Sequence, residues 1–420
     1  MATVNDQTQL VALFKDVFGD SVIHRFPNIT KISRMFDFSK AEALGKKLVV
    51  PVQVAEEHGV TYAAGTDAES SITLLDPTAG ELQTAEIDGS QMYARSRIGY
   101  ATIERAKEAG KAAFAQALRH VVDLLTKACG KRLEAAHLHG RRGWGTIDSV
   151  AGSGTTRAWV ITEASWAAGL WSGSKNMTLD VFAAAYTGSK INSNAKVTIT
   201  AVARSTRTIS VSGNATDLTN IVAGMHLFPE TASPTTEFAG IDAILQNTGT
   251  LFAIDAATYD IWKANQYAVG GAISMEKILD AVRLGAEMGL MDDVVCIVSP
   301  KAFQVLNNDL AALRRLDRSY STKEGENGTE EILYHGQTGT VRIMPHLYQK
   351  DGLFHIINPK QWHRVGATSD FGFITRGGNG ERLIYELPNN PASEMRAAFL
   401  GAIYCDAPAH QVVGTGITYS

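Results

Sequence analysis

The chain has 420 residues, 45% of them hydrophobic and 20% charged, with a formal net charge of −4. That composition supplies a large core and excludes a disordered or fibrous chain. The balance of charge gives no global grip on nucleic acid, and three scattered cysteines (Cys129, Cys296 and Cys405) are too few for a disulfide framework or a zinc cluster.

The N-terminus has neither a basic segment nor an apolar run of the signal-peptide kind, and no stretch approaches the roughly 20 apolar residues that span a bilayer. A protein soluble and intracellular at synthesis, with no membrane partner and reduced core thiols, is expected. Residues 1–56 read as an arm without its own core. They hold a short amphipathic helix through Leu10, Phe14, Val17 and Phe18, and a β-prone run at Leu48, Val49, Val50 and Val52.

Residues 57–100 read as an extended hairpin. β-prone pieces such as Ser71 to Leu75 flank the turn chemistry of Asp76, Pro77 and Gly80, and apolar residues are sparse. Isolated hairpins are marginal in water, so this segment is expected to need a partner surface. Residues 101–142 form the strongest element, a long helix with Ile103, Phe114, Leu118, Val121 and Leu125 near one face and Gly140 as its stop.

Residues 143–157 read as a Gly-rich connector. From 158 to 240 the chain turns rich in Thr, Ser, Asn and Gly with period-two alternation at Val197, Ile199, Ile209 and Val211, as expected of an inserted β domain with a further strand at 221–228. Residues 241–420 alternate helix and strand. Ser274 and Ser299 are helix caps, Pro300 takes the first helical position, Val294 to Val298 is a buried strand, and 406–420 is a Gly- and Thr-rich tail.

No phosphate loop, dinucleotide fingerprint or nucleophile elbow occurs. Gly110-Lys111 lies within a helix, and Gly188-Ser189-Lys190 lies in β-prone sequence. His137 and His139 are two apart on a helix and so face different ways, which argues for a polar helix end over a metal site. His346, His355 and His363 read as ordinary surface or satisfied core residues. No catalytic, cofactor-binding or metal-binding residue is therefore assigned.

Local charge is more informative. Between 104 and 142 there are nine Lys or Arg against four acids, whereas Asp67, Glu69, Asp76, Glu81, Glu86 and Asp88 lie in a stretch without any Lys or Arg. The plain reading is a solvated helix face and a solubilising loop. The sharper one has the six acids meeting another subunit, and Lys107, Lys111, Lys127, Lys131 and Arg132 facing a polyanion.

The order of elements, together with Gly140-Arg141-Arg142-Gly143-Trp144-Gly145, Val298-Ser299-Pro300-Lys301-Ala302-Phe303 and Pro391-Ala392-Ser393-Glu394-Met395-Arg396, resembles the major capsid protein of tailed bacteriophages. The resemblance implies an α+β chain of the Hong Kong ninety-seven type. Residues 57–100 would be the extended loop over a neighbour, 101–142 the spine helix of the peripheral (P) domain, and 158–240 an insertion. Residues 241–420 would form the axial (A) domain with returning P-domain strands.

It further implies hexamers and pentamers of an icosahedral shell around double-stranded DNA, bound without sequence preference. Scaffolding, portal and cement or decoration proteins would be partners, and the virion, assembled in host cytoplasm, the location. An encapsulin-like compartment shell, or an intracellular enzyme with a site scattered in sequence, are the alternatives.

Overall fold

The structure is a computed structural model that describes residues 30–40, 47–66, 69, 72–100, 111–183, 188–193, 195–308, 332–336, 339–374, 385–387 and 390–419. The helix expected at residues 10–18 lies outside them.

A 29-residue helix, Lys111–His139, lies on a five-stranded sheet. At 1.5 Å per residue it is about 43 Å long; the expected extension to 101 falls outside the described residues. Asn390–Cys405 is the sheet's organising strand. It pairs antiparallel with Trp362–Phe373, Tyr385–Leu387 and Ser90–Gly99, while Phe38–Lys40 adds parallel to Trp362–Phe373.

The period-two rule puts Met92, Ala94, Ile98, Met395 and Ala397 on one sheet face. They pack against Val121, Leu125 and Cys129, one helical stripe at spacing four. Before the sheet, the short helix Lys31–Met35 buries Ile32 beside the long helix.

The β insertion is a closed six-stranded barrel, which leaves no sheet edge open. Ile147, Trp159, Ile161, Val181, Ile199, Ile209 and Val211 fill it. Two boundaries differ from the sequence reading. The barrel starts at Gly145–Ala151 and continues with Thr156–Ile161, so 143–157 is mostly barrel wall and not a connector.

Glycine obscured this strand, yet Gly145 sits in tight packing there: a Cβ would lie 3.0 Å from Ile161 and 3.3 Å from Trp171, side chains that would have to shift to admit it. The strand expected at 221–228 is only His226–Pro229, because Gly224 takes φ +86° and breaks the run. Ahead of it, Asn214 caps the helix Ala215–Asn220, its side chain accepting the Thr216 N–H.

The third unit is a six-stranded mixed sheet in the order Asn265–Gly271, Val412–Ile417, Leu353–Ile357, Val294–Val298, Thr340–Pro345, Ile332–His335. Val294–Val298 is buried throughout, as its unbroken apolar sequence requires. Ser274 and Ser299 cap Met275–Glu287 and Pro300–Asn307 by accepting the N–H of Lys277 and Ala302. The expected tail is in part a strand inside this sheet, Val412–Ile417, paired on both sides.

The hairpin consists of Leu48–Ala55 and Glu81–Ile87, so one of its strands comes from the stretch assigned to the arm. Ser90–Gly99, assigned to the hairpin, belongs to the five-stranded sheet. Residues 72–75 form no strand. Val54 and Ala85 of the hairpin pack on Ile254, Ala256 and Trp262, and Glu86 N–H donates to Phe252 O at 2.8 Å.

Candidate assembly surface and the buried ionic junction

The hairpin and its tip carry an unusual amount of exposed apolar surface. Tyr62 is 93% exposed and Leu74 76%, and Val49, Val60, Leu75 and Leu82 are exposed as well. Apolar groups grouped in this way mark an interaction surface. The loop beyond the hairpin is tied at its base: His58 and Thr78 exchange backbone hydrogen bonds of 2.9 and 2.6 Å, and Leu75 N–H donates to Thr61 Oγ1 at 2.9 Å.

Of the six acids, Asp67 lies outside the described residues, and Glu69 and Asp76 are exposed at the tip. The other three have partners in their own chain. Glu81 accepts from the Tyr259 hydroxyl, which with Gln83 holds its carboxyl below the usual range. Lys47 lies 2.5 Å from Glu86 and 4.0 Å from Asp88.

Among the cations expected on the long helix, Lys107 lies outside the described residues and Lys111 begins the described helix. Lys127 is half-buried. Lys131 and Arg132 lie over the Trp144 ring, 5.7 and 4.9 Å from its centroid, and Lys131 donates to Ser172 O at 2.7 Å. Burial and the Arg132 charge lower the Lys131 pKa to about 8. These two clamp the helix to the start of the barrel.

The strongest polar constellation is one the sequence reading missed. Glu134, buried in the long helix, accepts Ile32 N–H at 2.6 Å, Ser33 N–H at 3.0 Å and Ser33 Oγ–H at 2.5 Å. His346 Nε2 lies 3.1 Å from Oε1, the oxygen that also takes Ile32 N–H, and Tyr348 N–H donates to His346 Nδ1 at 3.2 Å. Burial pushes the Glu134 carboxyl up, yet the bonds from His346 and Ser33 hold it below its ordinary value. His137 Nδ1 lies 2.9 Å from Ser33 Oγ, and burial with the Arg364 charge lowers its pKa to about 3.

A second buried carboxylate, Asp242, sits nearby among His355 at 3.4 Å, His139 at 3.5 Å and Lys350 at 4.0 Å. Burial opposes its charge, but these donors hold it well below the usual range. Burial and Lys350 lower His139 to about 4, and burial lowers Lys350 to about 8.

Glu134 and Asp242 thus join the N-terminal segment, the long helix, the 241–245 helix and the six-stranded sheet. The sequence signals were present: a glutamate amid Leu133, Ala135 and Leu138, and an aspartate inside Ile241-Asp242-Ala243-Ile244-Leu245. Every imidazole here serves a packing contact, and among the described residues no group of three or more His, Cys, Asp or Glu is placed to hold a metal.

No protein-family model matches the sequence, and no curated protein matches it. Solved structures do. A chain of the cyanophage A-1(L) capsid asymmetric unit aligns with a TM-score of 0.59 at 10% identity, covering 99% of this chain and 100% of that one. A chain of the capsid of a native GTA particle aligns with a TM-score of 0.50 at 8% identity, covering both chains fully. Over nearly its whole length, this chain has the fold of those phage and GTA capsid proteins.

Proposed function

We propose that this chain is a structural capsid subunit that assembles with copies of itself, as hexamers and pentamers, into an icosahedral shell around double-stranded DNA. The observation that carries this reading is the end-to-end agreement with the cyanophage A-1(L) capsid chain, 99% of one against 100% of the other. Two features of the chain support it. The apolar groups exposed on the hairpin and its tip need a covering surface. The chain's most elaborate polar cluster serves to lock elements together, as a load-carrying shell requires.

The role is accordingly structural and not enzymatic, and the location is the virion, after assembly in host cytoplasm. Contact with DNA is electrostatic and without sequence preference, so salt weakens it steeply. Lys127 is the spine cation offered for it, since Lys131 and Arg132 are held by Ser172 and Trp144. Scaffolding, portal and cement or decoration proteins complete the set of partners.

Sedimentation velocity of the purified protein tests the reading. A fast boundary hundreds of times the monomer mass is the expected result. A chain that stays monomeric across salt, crowding agent and added scaffold overturns it.

A further inference from the structure

The face of the five-stranded sheet turned away from the long helix carries an unbalanced charge. Ser90–Gly99 and Asn390–Cys405 pair so that Tyr93 lies opposite Ala398, Arg95 opposite Arg396 and Arg97 opposite Glu394, all on this face. Arg97 Nε donates to Glu394 Oε2 at 2.9 Å, and Arg396 Nε donates to Glu394 Oε1. One buried carboxylate is therefore divided between two guanidinium groups, and Arg95 has no hydrogen-bond or ion-pair partner among the described residues. Like charges directly opposite across a strand pair are unfavourable. Beside Arg95, the Tyr93 ring is 63% exposed.

The tip of the hairpin loop has the complementary chemistry. Leu74 and Leu75 are exposed next to Asp76, which makes no ion pair among the described residues. The bonds from Thr61 and between His58 and Thr78 hold this tip in shape, so little ordering entropy opposes its docking.

We propose that Tyr93, Arg95 and Arg396 form the docking site for the tip (Leu74, Leu75 and Asp76) of a second copy of this chain. The Asp76 carboxylate takes the free Arg95 fork, a planar pairing in which two N–H groups can donate at once, while the leucines cover Tyr93 and Ala398. The inference rests on the self-assembly reading and assigns it one contact.

Two experiments test it. Asp76→Arg and Arg95→Glu should each slow shell assembly about tenfold, and the double variant should return it to within about twofold of the parent, since charge matching acts mainly on association and recurs in every subunit. Arg95→Glu also gains a cross-strand partner in Arg396, so its defect reports docking and not misfolding.

Asp76→Cys with Arg95→Cys should give disulfide-linked oligomers in oxidised shells but not in dispersed subunits, because the native Cys129, Cys296 and Cys405 are buried. Shells that form normally without this disulfide and without rescue by the charge swap overturn the docking site while leaving the capsid reading intact. Loss of DNA from Arg95→Glu shells of normal assembly rate would give this face to nucleic acid instead. A parent chain that forms no shells at all takes both readings down.

Discussion

His346 Nε2 lies 3.1 Å from Glu134 Oε1, and both side chains are wholly buried although 212 residues separate them. The bond joins the C-terminal part of the long helix to the loop that leaves the strand Thr340–Pro345, and so connects the long helix and the five-stranded sheet to the six-stranded sheet. On the far side of the same carboxylate, Ser33 ties in the N-terminal segment. Three parts of the chain meet on one negative charge.

Removing that charge leaves three donors and a histidine unpaired in the core. Breaking a buried polar pair from one side costs about 3 to 5 kcal/mol, so Glu134→Ala should lower the unfolding free energy of the dispersed subunit by about that amount. A urea titration measures it. A loss below about 1 kcal/mol would show that the junction is replaceable.

The same junction makes stability depend on pH. His137 and His139 have folded pKa values of about 3 and 4, below their ordinary 6.5, so between pH 6.5 and about 4 the unfolded chain binds two protons that the folded chain does not. Stability therefore falls as pH falls through that window. Glu237 acts oppositely, because burial raises its pKa to about 7 and the folded chain holds its proton. His226, whose pKa burial also lowers, adds to the two histidines, so together they outweigh Glu237 and stability still rises with pH across this window. The urea midpoint should drop between pH 6.5 and 4.5; a flat or rising midpoint contradicts the assignment.

Where the long helix ends, two glycines touch backbone to backbone. Gly240 N–H donates to Gly140 O at 3.2 Å, and a Cβ on Gly240 would lie 2.5 Å from Gly140 N and 2.6 Å from Ala136 O. Main-chain atoms cannot rotate aside as a side chain can. Gly240→Ala should cost about 3 kcal/mol, at the upper end for overpacking, and thermal unfolding should show a lowered midpoint. An unchanged midpoint would mean that the helix end shifts freely.

Exposed apolar groups respond differently. Leu74→Ser with Leu75→Ser should leave the isolated subunit's unfolding within about 0.5 kcal/mol of the parent, since exposed positions contribute little. Light scattering should nonetheless show slower assembly. Equal assembly rates for variant and parent would remove the tip from the interface.

The shell is expected to be free of covalent cross-links. An isopeptide bond from the hairpin would need a lysine there, and residues 48–106 contain none. All three cysteines are buried, and burial with little relief from Arg132 raises the Cys129 thiol to about 11, which disfavours the reactive thiolate. Particles boiled in detergent without reductant should run as a single monomer band, and a ladder that survives reductant would contradict this.

Much of the fold was legible where local chemistry and tertiary packing agree. The capped helices at Ser274 and Ser299, the buried strand Val294–Val298 and the long helix ending at Gly140 follow from spacing and caps. Strands that carry glycine were hidden, as at Gly145–Ala151 and Val412–Ile417, because there the glycine serves a close approach and not a turn. Gly414, for example, packs directly against the Phe354 ring.

The junction was hidden for another reason. Glu134, Asp242, His346 and His355 are far apart in sequence, and only the packing of helix on sheet brings them together. The acids of 57–100 were visible as a group. That Glu81, Glu86 and Asp88 have partners in Tyr259 and Lys47 depends on strand pairing with a segment outside that group.

Cryo-electron microscopy of assembled material tests the central claim most directly. The account predicts closed shells with fivefold and sixfold rings of this chain, each subunit's hairpin lying on a neighbour and its tip covered. Dispersed monomers, or assemblies in which the hairpin and its exposed leucines face solvent, would contradict it.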